Sequence, residues 1–256
     1  LNKNNISRRS AEECHRQYEL DEAFFDNIDS EEKAYFLGFL YADGCNMKAY
    51  NFVRIDLAEK DKELLYKFSK LLYPQKPNQH VKIHDRGEKG RFAYLTIHSK
   101  YMCNQLEKIG CMPQKTFKIT FPEWLRKDLV RHFIRGYFDG DGSVHVTYKK
   151  KRGSTLKITS NIVFAAETKR VIENELGVHL CLTKCSNSSV YDAHTSGERQ
   201  IKRILDWLYN GSEIFLRRKF KKHQELLRKI EHTDELIKVG TRGYSKSILT
   251  KQKSLQ

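Results

Sequence analysis

Two aspartates stand 98 residues apart in matching settings (141 − 43 = 98). Asp43 lies in Phe36-Leu37-Gly38-Phe39-Leu40-Tyr41-Ala42-Asp43-Gly44, and Asp141 in Ile134-Arg135-Gly136-Tyr137-Phe138-Asp139-Gly140-Asp141-Gly142. Both segments have Gly third, a small residue seventh, Asp eighth and Gly ninth. An internal repeat governs every later step of a sequence reading, and this spacing leaves room for one compact αβ unit per copy. A carboxylate in the last turn of a helix meets the negative end of the helix dipole. A second one beside it adds like-charge repulsion, so stability alone does not favour the pair. A divalent cation relieves both problems. Mg²⁺ suits the position, because it takes one or two carboxylates and fills its shell with water and phosphate oxygens. Asp43 and Asp141 are therefore candidate metal-binding acids, with the adjoining Gly44 and Gly142 in the same candidate metal site.

The elements that must position these acids are two helices. Asp29-Ser30-Glu31-Glu32 places an acid at the N-cap and Glu three residues later, which predicts a helix start. The helix runs to Asp43, where Gly44 is expected to take the left-handed conformation that ends helices. A second helix is expected from near Asp128 to Asp141, closed by Gly142 in the same way. Gly38 with Ala42, and Gly136 with Gly140, are four apart and share a helical face. Mid-helix glycine costs about 1 kcal/mol relative to alanine. Close approach of two helix backbones along these small residues is the compensation we expect.

These segments resemble the paired motifs of the LAGLIDADG homing endonucleases in their single-chain form. The resemblance covers roughly residues 25–230. It implies two αββαββα halves joined by packed motif helices, an α+β fold whose antiparallel sheets form a DNA-binding saddle. It also implies that the eighth-position acids, Asp43 and Asp141, bind the catalytic metals. The first copy departs at the sixth position, where Tyr41 replaces the usual Asp; the second keeps Asp139. That position is not a metal ligand in the family. Family members carry a lysine that borders the active site and contacts its water, and the resemblance gives that role to Lys115 and Lys219. Glu59 and Ser160 fall where the family often has Gln near the metals.

The net charge of +15 and pI near 9.5 point to a polyanionic partner. No apolar run approaches the 18 or so residues of a membrane span, and no secretory signal is visible. The chain begins at Leu1 rather than Met, which leaves room for an upstream segment. The six cysteines are scattered. Cys181, Cys185 and His179 share a strand face, but no second ligand pair completes a zinc site. Reduced thiols fit better, as in a cytoplasmic (nucleoid-associated) or organellar protein.

Patterning gives the rest of each half. After the first motif, Phe52 to Ala58 alternates as a strand, with Val53, Ile55 and Leu57 on one face. A helix follows over about 61–73. A hairpin runs from His80 to Arg86 and from Arg91 to His98 around a Gly-rich turn, and a helix closes the half over 100–109. After the second motif, strands are expected over Ser143 to Lys150 and Leu156 to Ser160. A helix over 162–176, strands near 178–186 and 189–196, and helices near 198–209 and 213–230 complete it. The expected divisions are an N-terminal arm (1–28), a first half (29–112), a connector (113–127), a second half (128–230) and a basic, aperiodic tail (231–256).

Each sheet has one face to spare for DNA. In the first half it offers Arg54, Asp56, His80, Lys82, His84, Arg86, Tyr94, Thr96 and His98. In the second it offers His145, Thr147, Lys149, Thr155, Lys157 and Thr159. Two-stranded ribbons fit the major groove, where such side chains meet base edges. Lys149, Lys150, Lys151 and Arg152 at the turn are placed to grip phosphates.

The expected function is site-specific hydrolysis of double-stranded DNA by a monomer with two or more divalent ions. Mg²⁺ is the expected ion, with Ca²⁺ or Mn²⁺ able to replace it. The rivals are an RNA maturase that binds its host intron RNA with the same basic surface, and a non-catalytic DNA-binding regulator of this fold. Retention of both acids weighs against the regulator. Intein excision is a further context, although the chain shows no splicing-domain start and no terminal His-Asn pair.

Overall fold

The computed structural model describes residues 18–113, 118–148, 153–186 and 188–253, with Lys89 and residues 236–253 as backbone alone. The first half comprises α1 (Glu31–Asp43), β1 (Gly44–Met47), β2 (Phe52–Ala58), α2 (Lys62–Leu72), β3 (Val81–Asp85), β4 (Arg91–His98) and α3 (Lys100–Lys108). The second comprises α4 (Lys127–Asp141), β5 (Gly142–His145), β6 (Thr155–Ser160), α5 (Ile162–Leu176), β7 (Cys181–Lys184), β8 (Tyr191–Ser196), α6 (Glu198–Tyr209) and α7 (Arg217–Lys253). Each half is an αββαββα unit with one antiparallel sheet, ordered β1-β2-β4-β3 and β5-β6-β8-β7. The α+β fold expected from patterning is the fold observed.

Alternation decides which face of each sheet is dry. Val53, Ile55 and Leu57 of β2 and Ala93, Leu95 and Ile97 of β4 are buried against Leu64, Leu65, Phe68 and Leu72 of α2. Leu156 and Ile158 of β6 and Ala193 of β8 do the same in the second half. The intervening polar residues are turned to the opposite face, because successive strand side chains alternate.

α1 and α4 pack at the centre of the molecule, closer than side chains allow. A Cβ on Gly38 would overlap the Phe133 carbonyl oxygen and lie 2.8 Å from its carbon. One on Gly136 would overlap the Tyr35 carbonyl oxygen and lie 2.9 Å from its carbon. The two contacts are related by the same 98-residue shift as the motifs, so they are one contact repeated by a pseudo-twofold axis. Glycine Cα–H groups facing carbonyl oxygens are a recurring geometry of close helix pairs. Further along the face, Gly140 lies against Ala42. The glycine pattern thus encodes an interface between backbones.

The structure corrects several sequence expectations. Gly44 (φ −76°, ψ 149°) and Gly142 (φ −84°, ψ 163°) are extended, not left-handed. The chain passes from helix directly into strand, and each Gly N–H still bonds the carbonyl four residues back, Leu40 or Phe138. Glycine is needed there because a Cβ would strike Leu40 or Phe138 in the helix's own last turn. The N-cap of α1 is Ser30, whose hydroxyl accepts from the Lys33 N–H, while Asp29 pairs with Lys33 at 2.9 Å. β1 has no recognisable pattern in its four residues, and alternation does not predict it. Of the expected arm, Leu20, Phe24 and Phe25 are core residues, the two phenylalanines packing on Phe68. Of the expected tail, residues 231–253 continue α7 as helix.

Replacing Gly38 or Gly136 with Leu forces bulk into a backbone contact, and overpacking of this kind costs about 1–3 kcal/mol or more. Thermal denaturation should show a melting temperature lower by several degrees for each variant. An unchanged transition in both would mean that α1 and α4 do not touch as described.

Candidate active site and nucleic-acid interface

The helix pair delivers its two acids to one place. Both Asp43 and Asp141 are exposed at the ends of α1 and α4. The Asp43 carboxylate lies over the opposite helix, 3.3 Å from where a Gly140 Cβ would stand. Lys219, in the first turn of α7, is buried and interacts electrostatically with both acids. Its ammonium donates to the carbonyls of Phe138, at 3.2 Å, and Gly142, and lies 5.0 Å from the Phe138 ring centroid. Burial, reinforced by neighbouring Arg218, lowers its pKa to about 8, while Asp139, Asp43 and Asp141 pull it back up. Among the described residues, the site therefore holds one buried cation beside two carboxylates.

The two acids are not equivalent. Tyr137 hydrogen-bonds Asp141, the Ser160 hydroxyl at 2.8 Å and the Thr159 carbonyl at 3.1 Å. The matching position in the first motif is Phe39, which has no hydroxyl. Behind Asp141 a small cavity is lined by Tyr41, Tyr137, Thr159 and Ser160.

The sixth motif position is a tether in both halves. Asp139 is fully buried and accepts from Tyr35 Oη (2.7 Å), Tyr209 Oη (2.6 Å) and the Leu216 N–H (2.7 Å). Burial pushes its carboxyl upward, against the pull of those three donors. Tyr41, its counterpart, donates to the Ile109 carbonyl. One position thus fastens each motif helix to the segment after the half's closing helix, once as acceptor and once as donor. The exchange of Asp for Tyr preserves that link.

On the exposed face of the first sheet, Asp56 accepts from Arg54 Nε (2.7 Å) and Nη2 (2.9 Å) and from Arg86 Nη2 (3.0 Å). Arg54 lies over Tyr94 at 4.0 Å and Arg86 over Phe92 at 4.6 Å. Lys82 and His84 are exposed on β3 beside them. His80 lies just before β3 and stacks on Tyr73 at 3.6 Å. The second sheet presents His145, Thr155, Lys157 and Thr159. There Asp192 of β8 accepts from Lys157 (2.7 Å) and Thr159 (2.6 Å), and Thr183 of β7 bonds His194 (2.9 Å). Asp192, His194 and Thr183 are absent from the residues expected on this face, although the period-2 alternation through 189–196 marks Asp192 and His194 and pairing with β8 brings Thr183 beside them. It also misses Tyr137, for which the contrast with Phe39 is the available signal.

Residues 30–110 and 128–208, more than half of the chain, each match the LAGLIDADG-like domain. This chain belongs to the LAGLIDADG family. Among solved structures, it is similar to the meganuclease I-SmaMI bound to uncleavable DNA, at 13% identity and a TM-score of 0.52 over 79% of this chain and 91% of that one. A single-residue variant of I-SmaMI gives 13% identity and a TM-score of 0.50, over 76% and 89% of the two chains. The likeness is one of fold. The replication factor C small subunit of Methanocaldococcus jannaschii is 26% identical over 190 residues, 69% of this chain. The chain spans only 10% of that relative's length.

Within the LAGLIDADG fold, some site expectations meet other surroundings. Thr147 is buried and lies beyond β5, its N–H on the Ser154 hydroxyl at 3.3 Å and its carbonyl on Lys229. It folds back toward α7 because β5 ends at His145, so its side chain is not on the open sheet face. Ser160 is buried, facing Tyr137, and the Glu59 carboxylate is paired with Arg91 (3.2 Å) and Lys62 (3.5 Å). Asp56 is engaged by two arginines. Lys115, Lys149, Lys150, Lys151 and Arg152 lie outside the described residues. Cys181 is 4.0 Å from His179, and no group of three metal-ligating side chains occurs among the described residues.

The depressed pKa of Lys219 has a sign that can be tested. With its folded value near 8 and the ordinary lysine value of 10.5, the unfolded chain binds more protons between those pH values. Stability from this residue is therefore lowest below pH 8 and rises as pH climbs toward 10.5. Thermal unfolding of wild type and Lys219→Met from pH 7 to 10.5 should show the difference moving in favour of wild type. A pH-independent difference would remove the buried ammonium from the account.

Proposed function

We propose that this protein is a site-specific DNA endonuclease that cuts both strands of a duplex, with Asp43 and Asp141 as its catalytic acids. The observation that supports this most is the exposed pair of carboxylates on two helix ends, brought to one place by a backbone contact and joined there by a buried lysine. The basic charge of the chain, the cationic, aromatic face of the first sheet and Lys157 on the second supply the complementary surface for a polyanion.

The residues present fit a divalent ion. Two exposed carboxylates match Mg²⁺, which binds through few protein ligands and keeps water and phosphate oxygens. Asp43 and Asp141 would hold it, with the Gly44 and Gly142 carbonyls adjoining; the latter also accepts from Lys219. Such an ion, when bound, supplies an activated water and offsets charge on the scissile phosphate. The chain's own residues do the rest. Lys219 places a positive charge beside the acids, where it orients water and offsets phosphate charge, and Lys115 is assigned the same role by its matching sequence position. Tyr137 fixes the Asp141 carboxylate. The sheet faces hold the duplex in register. Both acids come from one chain, which is consistent with a monomer.

Asp43→Asn and Asp141→Asn keep shape and remove one charge each. Cleavage of target DNA in Mg²⁺ should collapse for each variant, while DNA retention in Ca²⁺ persists in a gel-shift assay. Full cutting of both strands by either variant would take that residue out of the active site.

A further inference from the structure

The DNA-facing sheet of the first half carries a construction the bare alternation of polar residues does not require. One carboxylate, Asp56, holds two guanidinium groups, and each guanidinium is also seated on an aromatic ring from β4. Asp56 and Tyr94 are directly opposite in the β2–β4 register, as are Ala58 and Phe92, so both arginine–ring pairs belong to one patch. The Arg54 side chain is about one-third exposed (32%), as is that of Arg86 (38%). These are fixed groups in reach of solvent.

We infer that Arg54, held by Asp56, reads guanine in the major groove, and that Arg86 extends the same reading element. Asp56 takes the Nε and Nη2 hydrogens of Arg54, which is one side edge of the guanidinium. The end edge formed by Nη1 and the second Nη2 hydrogen is left for a ligand. That edge has two parallel donors, and guanine is the base whose major-groove edge presents two adjacent acceptors, N7 and O6. Adenine offers an acceptor beside a donor, so it cannot satisfy the same fork. The inference rests on the DNA-binding reading above and adds a base identity to it.

Phosphate gripping accounts for the arrangement less well. A phosphate contact needs neither a fixed plane nor an adjacent carboxylate, and a carboxylate beside the backbone repels it. The second half supplies an internal contrast. β1 aligns Gly44 with Ile55, and β5 aligns Gly142 with Ile158, so Arg54 corresponds to Lys157 and Tyr94 to Asp192. The pseudo-twofold axis therefore repeats a carboxylate-held cation, with the carboxylate moved to the neighbouring strand. Lysine is a point charge without a planar fork. Guanine preference should be strong at the base facing Arg54 and weak at its mirror position.

The test is selection of bound duplexes from a randomised library in Ca²⁺, followed by sequencing, so that no cleavage is needed. Wild type should enrich guanine at one or two positions of one half-site. Arg54→Lys should cut that enrichment by roughly tenfold or more, the size of one good bidentate base contact. Asp56→Asn should relax the same preference while strengthening retention of non-cognate duplex, because a negative charge has been removed. Circular dichroism confirms folding of each variant, and Arg54→Lys alone suffices if Asp56→Asn does not fold. Bound duplex with no guanine enrichment, or enrichment untouched by Arg54→Lys, overturns the guanine assignment and leaves DNA binding standing. Failure to retain any duplex overturns the DNA-binding reading and this inference with it.

Discussion

Everything in this molecule depends on two glycines meeting two carbonyl groups. Gly38 rests on the Phe133 carbonyl and Gly136 on that of Tyr35, and no other residue type fits in either place. This contact fixes how far apart α1 and α4 lie and how they are rotated. It thereby fixes where Asp43 and Asp141 emerge and where β1 and β5 begin. The sheets inherit their placement from it, since each begins at the residue that follows its acid.

Buried polar groups around the pair hold it in one arrangement. Arg135 is completely buried and donates to the carbonyls of Ile214 (2.9 Å) and Leu208 (3.2 Å), to Ser212 (2.6 Å), and to Glu31 of the other half (2.6 Å). Across the halves, Arg218 also pairs with Asp61 at 3.0 Å. A buried ion left without its partner costs about 3–5 kcal/mol. These links therefore penalise any sliding of one half against the other. The same burial keeps His132 uncharged, its pKa lowered to about 4 by desolvation and by Arg135 and Arg131. Rigidity at the centre is what lets two acids be held close without collapse of the helix ends.

Much of this is legible in the residues. The repeat marks the two helices, the small-residue face and the acids, because glycine inside a helix costs stability unless a second backbone packs where its side chain would be. Period-2 alternation marks β2, β4 and β6, whose polar faces are regular. What the sequence hides is of two kinds. β1, with four residues, is too short to show a period, and β5 ends at His145, short of the strand expected over Ser143 to Lys150. The backbone after each acid is extended because the chain turns straight into a sheet, a tertiary fact that overrides the local preference of glycine for left-handed helix ends. Contacts across long separations are equally hidden: Tyr41 reaching Ile109, Tyr35 and Tyr209 reaching Asp139, and Asp192 reaching Lys157. The role of Asp56 is not readable from its own strand alone, since the alternation places it on the open sheet face without showing that two arginines hold it.

The central claim is that the glycine-set helix pair assembles one ion-binding, phosphate-facing centre from two equivalent chain positions. Anomalous diffraction from crystals of the protein with its duplex target and Mn²⁺ tests this directly. The account predicts manganese peaks within about 2.0–2.6 Å of Asp43 and Asp141 carboxylate oxygens, each also bound to a DNA phosphate oxygen. Phosphates lying far from both acids, or manganese bound elsewhere on the protein with these acids empty, would contradict it.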